Sequence, residues 1–206
     1  MGRRIPMTSA LLLSGGMDSL SIAWWKRPTH AITIDYGQKA AITERTVSAA
    51  ICAEIGIVHH VVSVDCRSLG SGDMAGAAAD AAAPASDWWP YRNQLLITLA
   101  AMKAIGLGAK VLYIGTVASD EGHRDGTKDF VRMIDELVLY QEGGLRIEAP
   151  AIGLTTVELV NEAKVPARVL AYAHSCHKAD IPCGNCRGCN KYVESMDSLG
   201  YGCRTS

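Results

Sequence analysis

Along this chain short apolar runs alternate with longer segments whose apolar residues recur at helical spacing. Residues 10–13 predict a short buried strand, 20–26 the opening of a helix, and 31–35 a second strand with β-branched content. Residues 40–55 follow as a helix, with Val47, Ala50, Ile51 and Ile55 on one face and Gly56 as its C-terminal cap. A valine-rich third strand spans 58–64. An apolar helix spans 93–107, closed by Gly106 and Gly108, and a fourth strand spans 111–114. Residues 128–140 then predict a helix with Phe130, Ile134, Leu137 and Val138 on one stripe. Strands that alternate with helices run parallel and are joined by crossovers, which predicts an α/β sheet covered on both faces.

Two segments break this rhythm. Residues 68–87 are rich in glycine, alanine and aspartate with no sustained apolar period. They read as a long loop with one turn of helix in the alanines, acting either as a lid or as a slack surface insertion. From Ser175 onward the composition shifts to Cys, Gly, Asn and Lys, so the chain divides into an α/β unit, 1–174, and a small appendage, 175–206.

Composition narrows the class. With 206 residues, 49% apolar and 20% charged, the chain is long enough to bury a core without disulfide staples. A formal net charge of -1 argues against a protein that coats nucleic acid or an anionic membrane. The apolar stretch 95–102 is far short of the ~20 residues that span a bilayer. Arg3 and Arg4 precede only a four-residue apolar run, so no signal peptide is expected. Seven cysteines, an odd number with four near the end, fit a cytoplasmic metal site better than a secreted disulfide framework.

The first strand leads into Leu13-Ser14-Gly15-Gly16-Met17-Asp18-Ser19-Leu20. At this point of a parallel sheet a turn offers backbone N–H groups and a helix N-terminus to an anion. Paired glycines let the backbone approach phosphate oxygens, and Ser14 and Ser19 can donate hydroxyls. Asp18 would repel phosphate, so a carboxylate here makes sense if it holds Mg²⁺ or orients a donor. A plain glycine turn capped by Ser and Asp is the competing account. Neither Gly-Lys-Ser/Thr nor Gly-x-Gly-x-x-Gly is present. The motif resembles the PP-loop of the ATP pyrophosphatases. That resemblance implies a Rossmann-like, doubly wound sheet of the adenine nucleotide alpha hydrolase type and cleavage of ATP to AMP and pyrophosphate.

Cys176, Cys183, Cys186 and Cys189 close with two C-x-x-C steps, whose short turns can aim thiolates at one centre. Four thiolates suit Zn²⁺ in a closed structural site, with an iron–sulfur cluster as the chemical rival. His174 and His177 flank the first cysteine as conceivable alternative ligands. Cys52 in a helix and Cys66 at a strand end read as core or edge residues, and Cys203 has no assignable role.

Taken together, the PP-loop and the cysteine cluster resemble the 7-cyano-7-deazaguanine synthase family, QueC, over nearly the whole chain. Asp35-Tyr36-Gly37-Gln38 with Glu44, Pro90-Tyr91-Arg92-Asn93, Gly115 with Asp120, Asp129-Phe130, Ala149-Pro150 with Glu158, and Ser175-Cys176 match its motifs. The resemblance implies conversion of 7-carboxy-7-deazaguanine, ammonia and ATP to a nitrile, with one zinc per subunit, Mg²⁺, and a homodimer. It implies that residues 13–20, Asp35 and Tyr36 bind ATP, and that Gln38, Lys39, Arg92, Asn93 and Asp120 bind substrate. Asp18, Arg92 and Asp120 are the catalytic candidates. The Arg92 fork would grip a carboxylate or phosphate, against a structural ion pair at a helix start. Asp120 would serve the metal or the base edge, against an ordinary loop carboxylate. Trp88 and Trp89 either stack on a flat heterocycle or plug the core.

The chain departs from the family at Lys39 and Ala40 (Arg-His), Thr156 (Lys), Tyr192 (Arg) and Met196 (Phe). Loss of these donors bears on the amide-to-nitrile half of the reaction. It leaves room for a QueC-like relative of antiphage systems that joins the activated deazaguanine to a partner protein's amine. A tRNA thiolase shares the phosphate-loop signal. A zinc-knuckle nucleic-acid binder using Lys178, Arg187 and Lys191 is the non-enzymatic alternative.

Overall fold

The computed structural model describes residues 7–120 and 123–202; Arg3, Arg4 and Cys203 lie outside the described residues. In chain order the elements are β1 (Ser9–Leu12), α1 (Met17–Lys26), β2 (His30–Asp35), α2 (Ala41–Ile55), β3 (Val58–Ser63), α3 (Gly72–Ala75) and α4 (Arg92–Gly106). They continue with β4 (Val111–Tyr113), α5 (Lys128–Tyr140), β5 (Arg146–Glu148), α6 (Thr156–Glu162), α7 (Ala167–Leu170) and α8 (Arg187–Ser198). The five strands form one parallel sheet in the order β3-β2-β1-β4-β5. This is the parallel sheet expected from the alternating pattern, in the doubly wound, Rossmann-like form that the phosphate-loop resemblance implies.

Period-two alternation sends neighbouring residues of a strand to opposite faces, and two cores result. Leu11 packs with Leu20, Ile22, Ile51, Leu159 and Leu170 on the α1, α2, α6 and α7 side. Ala10 and Leu112 pack with Ile97, Ala100, Ala104, Ile134 and Ile147 on the α4 and α5 side. Gly56 ends α2 at φ 72°, as its spacing predicts. β3 lies at the sheet edge, which is why Val58 and Val61 remain exposed.

The periodicity reading does not place β5, α6, α7 or α8, whose apolar runs are too short to stand out, and three further details differ from it. The helix expected to open at residue 20 starts at Met17, because the phosphate loop runs straight into its first turn. The turn of helix in the 68–87 segment sits at Gly72–Ala75, before the alanines. This segment is moored: Met74 and Trp89 are buried, and the Lys39 N–H donates to the Met74 carbonyl at 2.8 Å. Leu137 leaves the expected core stripe at 49% exposure, joining Met133 and Tyr140 on an outward line of α5. Ile134 alone is fully buried because α5 covers the end of the sheet and touches it along a narrow face.

Candidate active site

At the carboxyl ends of the strands, beside the β1–β4 switch point, lies a cavity of about 310 Å³. Open α/β sheets bind ligands in this crevice. One wall is the phosphate loop. Gly15 adopts φ 78°, and a Cβ there would sit 2.5 Å from Val47 Cγ2, so glycine is required both by conformation and by the close approach of α2. The Ser19 hydroxyl donates to the Gly16 carbonyl at 3.0 Å and lies 3.1 Å from the Ser14 hydroxyl, closing the turn on itself. Gly16 caps α1 with no side-chain bond, leaving the first N–H groups of a ten-residue helix for an incoming anion.

Asp18 is the loop's carboxylate. Thr156 donates its hydroxyl to Oδ1 at 2.7 Å, and Lys191 Nζ donates to Oδ2 at 2.9 Å. The same ammonium donates to Asp120 Oδ1 at 3.1 Å, so one cation from α8 bridges two carboxylates brought from distant parts of the chain. Burial pushes the Asp18 carboxyl up, with Lys191 and Thr156 drawing it back. Asp120 is fixed by accepting the Val117 N–H at 3.2 Å, within a tight turn beside Gly126.

Across the cavity stands Arg92, at the start of α4. Tyr91 before it holds φ 56°, a left-handed conformation that costs a non-glycine residue about 1 kcal/mol and sets the angle at which the helix begins. The guanidinium touches Met74 Sδ and the Asn93 side-chain oxygen, at 3.4 Å from Nε and 3.3 Å from Nη2, and is paired with no carboxylate among the described residues. A structural ion pair is therefore not what holds it. Glu44 faces the same space. The residue is half-buried on the cavity wall, and burial pushes its carboxyl up to about 7 against a bond from Gln38 Nε2 at 2.7 Å. Gln38 spends its remaining groups on the Ile34 carbonyl and the Tyr36 N–H, which makes it a brace for Glu44.

The cavity wall includes Leu13, Ser14, Gly16, Met17, Asp18 and Ser19 of the loop. It also includes Tyr36, Gln38, Arg92, Asn93 and Asp120 among the expected site residues. It does not include Gly15, Leu20, Asp35 or Lys39. Gly15 acts through the turn, and Leu20 is core. Asp35 pairs with Arg45 at 2.8 Å, and Lys39 is exposed with its alkyl chain against Gly76. Trp89 is buried in the core edge-on to Tyr36 at 4.9 Å and Trp88 is half-buried, and both contribute to the cavity wall.

A third group was not legible in the sequence. Asp87 is buried, with His177 Nδ1 3.3 Å from Oδ2, Arg187 Nη1 at 3.7 Å and His123 Nε2 3.7 Å from Oδ1. The His177 imidazole, with Arg187 and His123, holds its carboxyl down to about 2. None of these contacts is aligned as a hydrogen bond to Oδ1. Lys191 was visible in the sequence as a basic residue only. Its place beside Asp18 depends on a helix that the cysteines orient.

The four cysteines converge with all Sγ atoms within 4.8 Å of one another. A tetrahedral zinc with bonds of ~2.3 Å needs thiolates about 3.8 Å apart, so the set fits one four-coordinate ion. Cys186 Sγ already accepts the Cys189 and His177 N–H groups at 3.4 Å each. The Asn185 backbone N–H draws the exposed Cys183 thiol down to about 7, toward the thiolate a metal requires. His174 instead lies 3.0 Å from the Ala179 carbonyl, and His177 faces Asp87, so neither flanking histidine joins the thiols. The segment docks on the α/β body through the His174 N–H to the Gly15 carbonyl, the Thr43 N–H and hydroxyl to Asp180, and Lys191 to Asp18.

The family model described as "Queuosine biosynthesis protein QueC" matches residues 8–199. A 7-cyano-7-deazaguanine synthase of Methanosarcina barkeri is 31% identical, with 94% of this chain and 95% of the relative covered. One of Thiobacillus denitrificans is 32% identical, with 92% and 93% covered. Among solved structures, the U34-tRNA thiolase NcsA of Methanococcus maripaludis, described with its [4Fe-4S] cluster, shares the fold at a TM-score of 0.54 and 16% identity. It is covered over 97% of this chain and 68% of that one. NMN synthetase of Francisella tularensis does so at 0.52 and 14%, over 97% and 80%. No described helix is long and apolar enough to cross a membrane. With its phosphate loop, cavity and thiol cluster in these places and a match over nearly its whole length, the chain belongs to the QueC family.

Proposed function

We propose that this chain is an ATP-dependent enzyme that adenylates 7-carboxy-7-deazaguanine and amidates it with ammonia on the way to 7-cyano-7-deazaguanine. The observation that carries the reading is one cavity with a phosphate loop on one wall and Arg92, free of any carboxylate partner among the described residues, on the other. The loop's N–H groups receive the polyphosphate. Arg92 presents a planar fork to the substrate's carboxylate, and Trp88 offers a face to the flat base. Asp18 and Asp120 would hold Mg²⁺, which supplies charge neutralisation to the departing pyrophosphate. The four thiolates would hold zinc, which supplies a structural cross-link.

A substrate carboxylate oxygen bonds to the α-phosphorus, and the bond from phosphorus to the bridging oxygen breaks, releasing pyrophosphate. Ammonia then attacks the acyl carbon and AMP leaves, yielding the amide. Glu44, poised near neutrality, is placed to take the proton that the attacking nitrogen sheds. A second adenylation, on the amide oxygen, followed by loss of AMP and of the nitrogen's protons, gives the nitrile.

Mass spectrometry with ATP and ammonium, supplying the acid and the amide separately, tests the reading. AMP and pyrophosphate from both, with nitrile formed, are expected. Accumulation of amide, or of an adduct with a protein amine, would move the chain to the conjugating relatives that its departures at Lys39, Ala40, Thr156 and Tyr192 leave open. No AMP from either substrate would overturn the reading.

A further inference from the structure

We propose that Lys191 is a catalytic residue of ATP cleavage, a cation that the thiol-bound segment inserts beside the phosphate loop to contact the polyphosphate. The inference rests on the ATP-cleaving function proposed above. It starts from a mismatch of charge. The loop offers N–H donors and an uncapped helix start, an anion site, yet its own charged side chain is a carboxylate. A second carboxylate, Asp120, stands close enough to share one hydrogen-bond donor with it. Two anions beside a polyphosphate are repulsive unless cations sit among them; Mg²⁺ held by Asp18 and Asp120 would supply one, and Lys191 Nζ, which donates to both carboxylates, supplies a second.

Three observations support a role for this lysine beyond bracing. First, its side chain is not sealed: it retains 32% exposure and forms part of the cavity wall. Second, Asp18 has a separate donor in Thr156, at 2.7 Å, so the lysine is not its sole fixture. Third, Lys191 is held at the level of the loop by its helix. Cys186 caps α8 and Cys189 follows one turn later, so the thiol centre anchors the turn from which Lys191 projects. A long, flexible side chain on a rigid base can turn from carboxylate to phosphate without moving the backbone. Phosphate oxygens that gain charge as the bridging bond breaks would draw its three N–H donors more strongly than the ground state does. The ammonium donates hydrogen bonds and keeps its protons; the electron pair of the broken bond leaves with pyrophosphate.

The test compares wild type, Lys191→Met and Lys191→Gln, each metal-loaded, and the double variant Lys191→Met/Thr156→Lys. Readouts are the rate of AMP release with the acid substrate, the affinity for α,β-methylene-ATP, metal content and Tm. Met or Gln at 191 should lower kcat about 10²–10³-fold, the usual cost of one charged transition-state donor, and weaken the analogue at least tenfold. Metal content should not change. Gln keeps an N–H donor for the carboxylates and stands in if the Met variant does not fold. Lysine at 156 starts beside the same carboxylate, and should recover at least tenfold of the lost rate. Variants with near wild-type kcat and analogue affinity and only a lower Tm would make Lys191 a brace and overturn the proposal. A double variant with no recovery would overturn it too. If the analogue arm responds as expected while the wild type turns over no deazaguanine acid, the substrate reading fails and the contact of Lys191 with the polyphosphate stands. A wild type that neither binds the analogue nor releases AMP overturns both.

Discussion

Glu44 makes the stability of this protein depend on pH in a direction opposite to that of a salt-bridged carboxylate. Its carboxyl lies half-buried on the cavity wall, held by Gln38 and pushed from an ordinary 4.5 up to about 7 by burial. The folded protein therefore holds a proton that the unfolded chain releases between these two values. By linkage, the stabilisation is complete below about 4.5 and is lost as pH rises through 7. A separation of about 2.5 pK units at 1.36 kcal/mol each is worth about 3 kcal/mol in all. Between pH 5.5 and 8.5 the part that changes is about 2 kcal/mol.

Glu44→Gln removes the titration while keeping an oxygen to accept from Gln38. Relative to wild type the variant should gain about 2 kcal/mol on going from pH 5.5 to 8.5, which for a chain of this size is a relative Tm change of roughly 4–8 °C. Thermal melts of both proteins across that range, metal content verified at each pH, provide the measurement. A Tm difference independent of pH would refute the raised titration of Glu44. A difference that moves the other way would mean that Arg92, across the cavity, dominates over burial. The same variant should lose the rise of the amidation rate with pH through about 7 if Glu44 takes that proton.

Other outcomes follow from the same geometry. Asp18→Ala should abolish AMP formation while the fold, measured by far-ultraviolet circular dichroism, is kept; wild-type AMP release would remove the phosphate-loop assignment. Cys183→Ser should release the metal, measured by elemental analysis, and lower Tm, since metal affinity is coupled to folding of the segment; full stability with turnover alone lost would contradict a structural role. Gly15→Ala forces a Cβ onto Val47 in a left-handed conformation, so it should cost about 2 kcal/mol or more in chemical denaturation and weaken nucleotide binding.

The sequence by itself determined the scaffold. The apolar runs of β1, β2 and β4, the 3.6-residue stripes of α2 and α4, and Gly56 as a cap are local features, and their alternation leaves parallel crossover pairing as the arrangement that buries both sheet faces. The phosphate loop and the thiol cluster were legible too, because both are built from residues close in the chain. Tertiary structure alone decided what is long-range. Lys191 reaches Asp18 across 173 positions, and Asp87, His123 and the pair His177 and Arg187 meet from three separate segments. No period or spacing encodes such meetings. They depend on where α8 and the 68–87 segment dock, which is set by burial of Trp89 and by the cysteine fold. The same dependence explains the exclusions. Asp35 and Lys39 are adjacent in sequence to cavity residues, yet Asp35, the last paired residue of β2, faces away from the cavity toward Arg45, and Lys39, beyond the turn at Gly37, lies against Gly76.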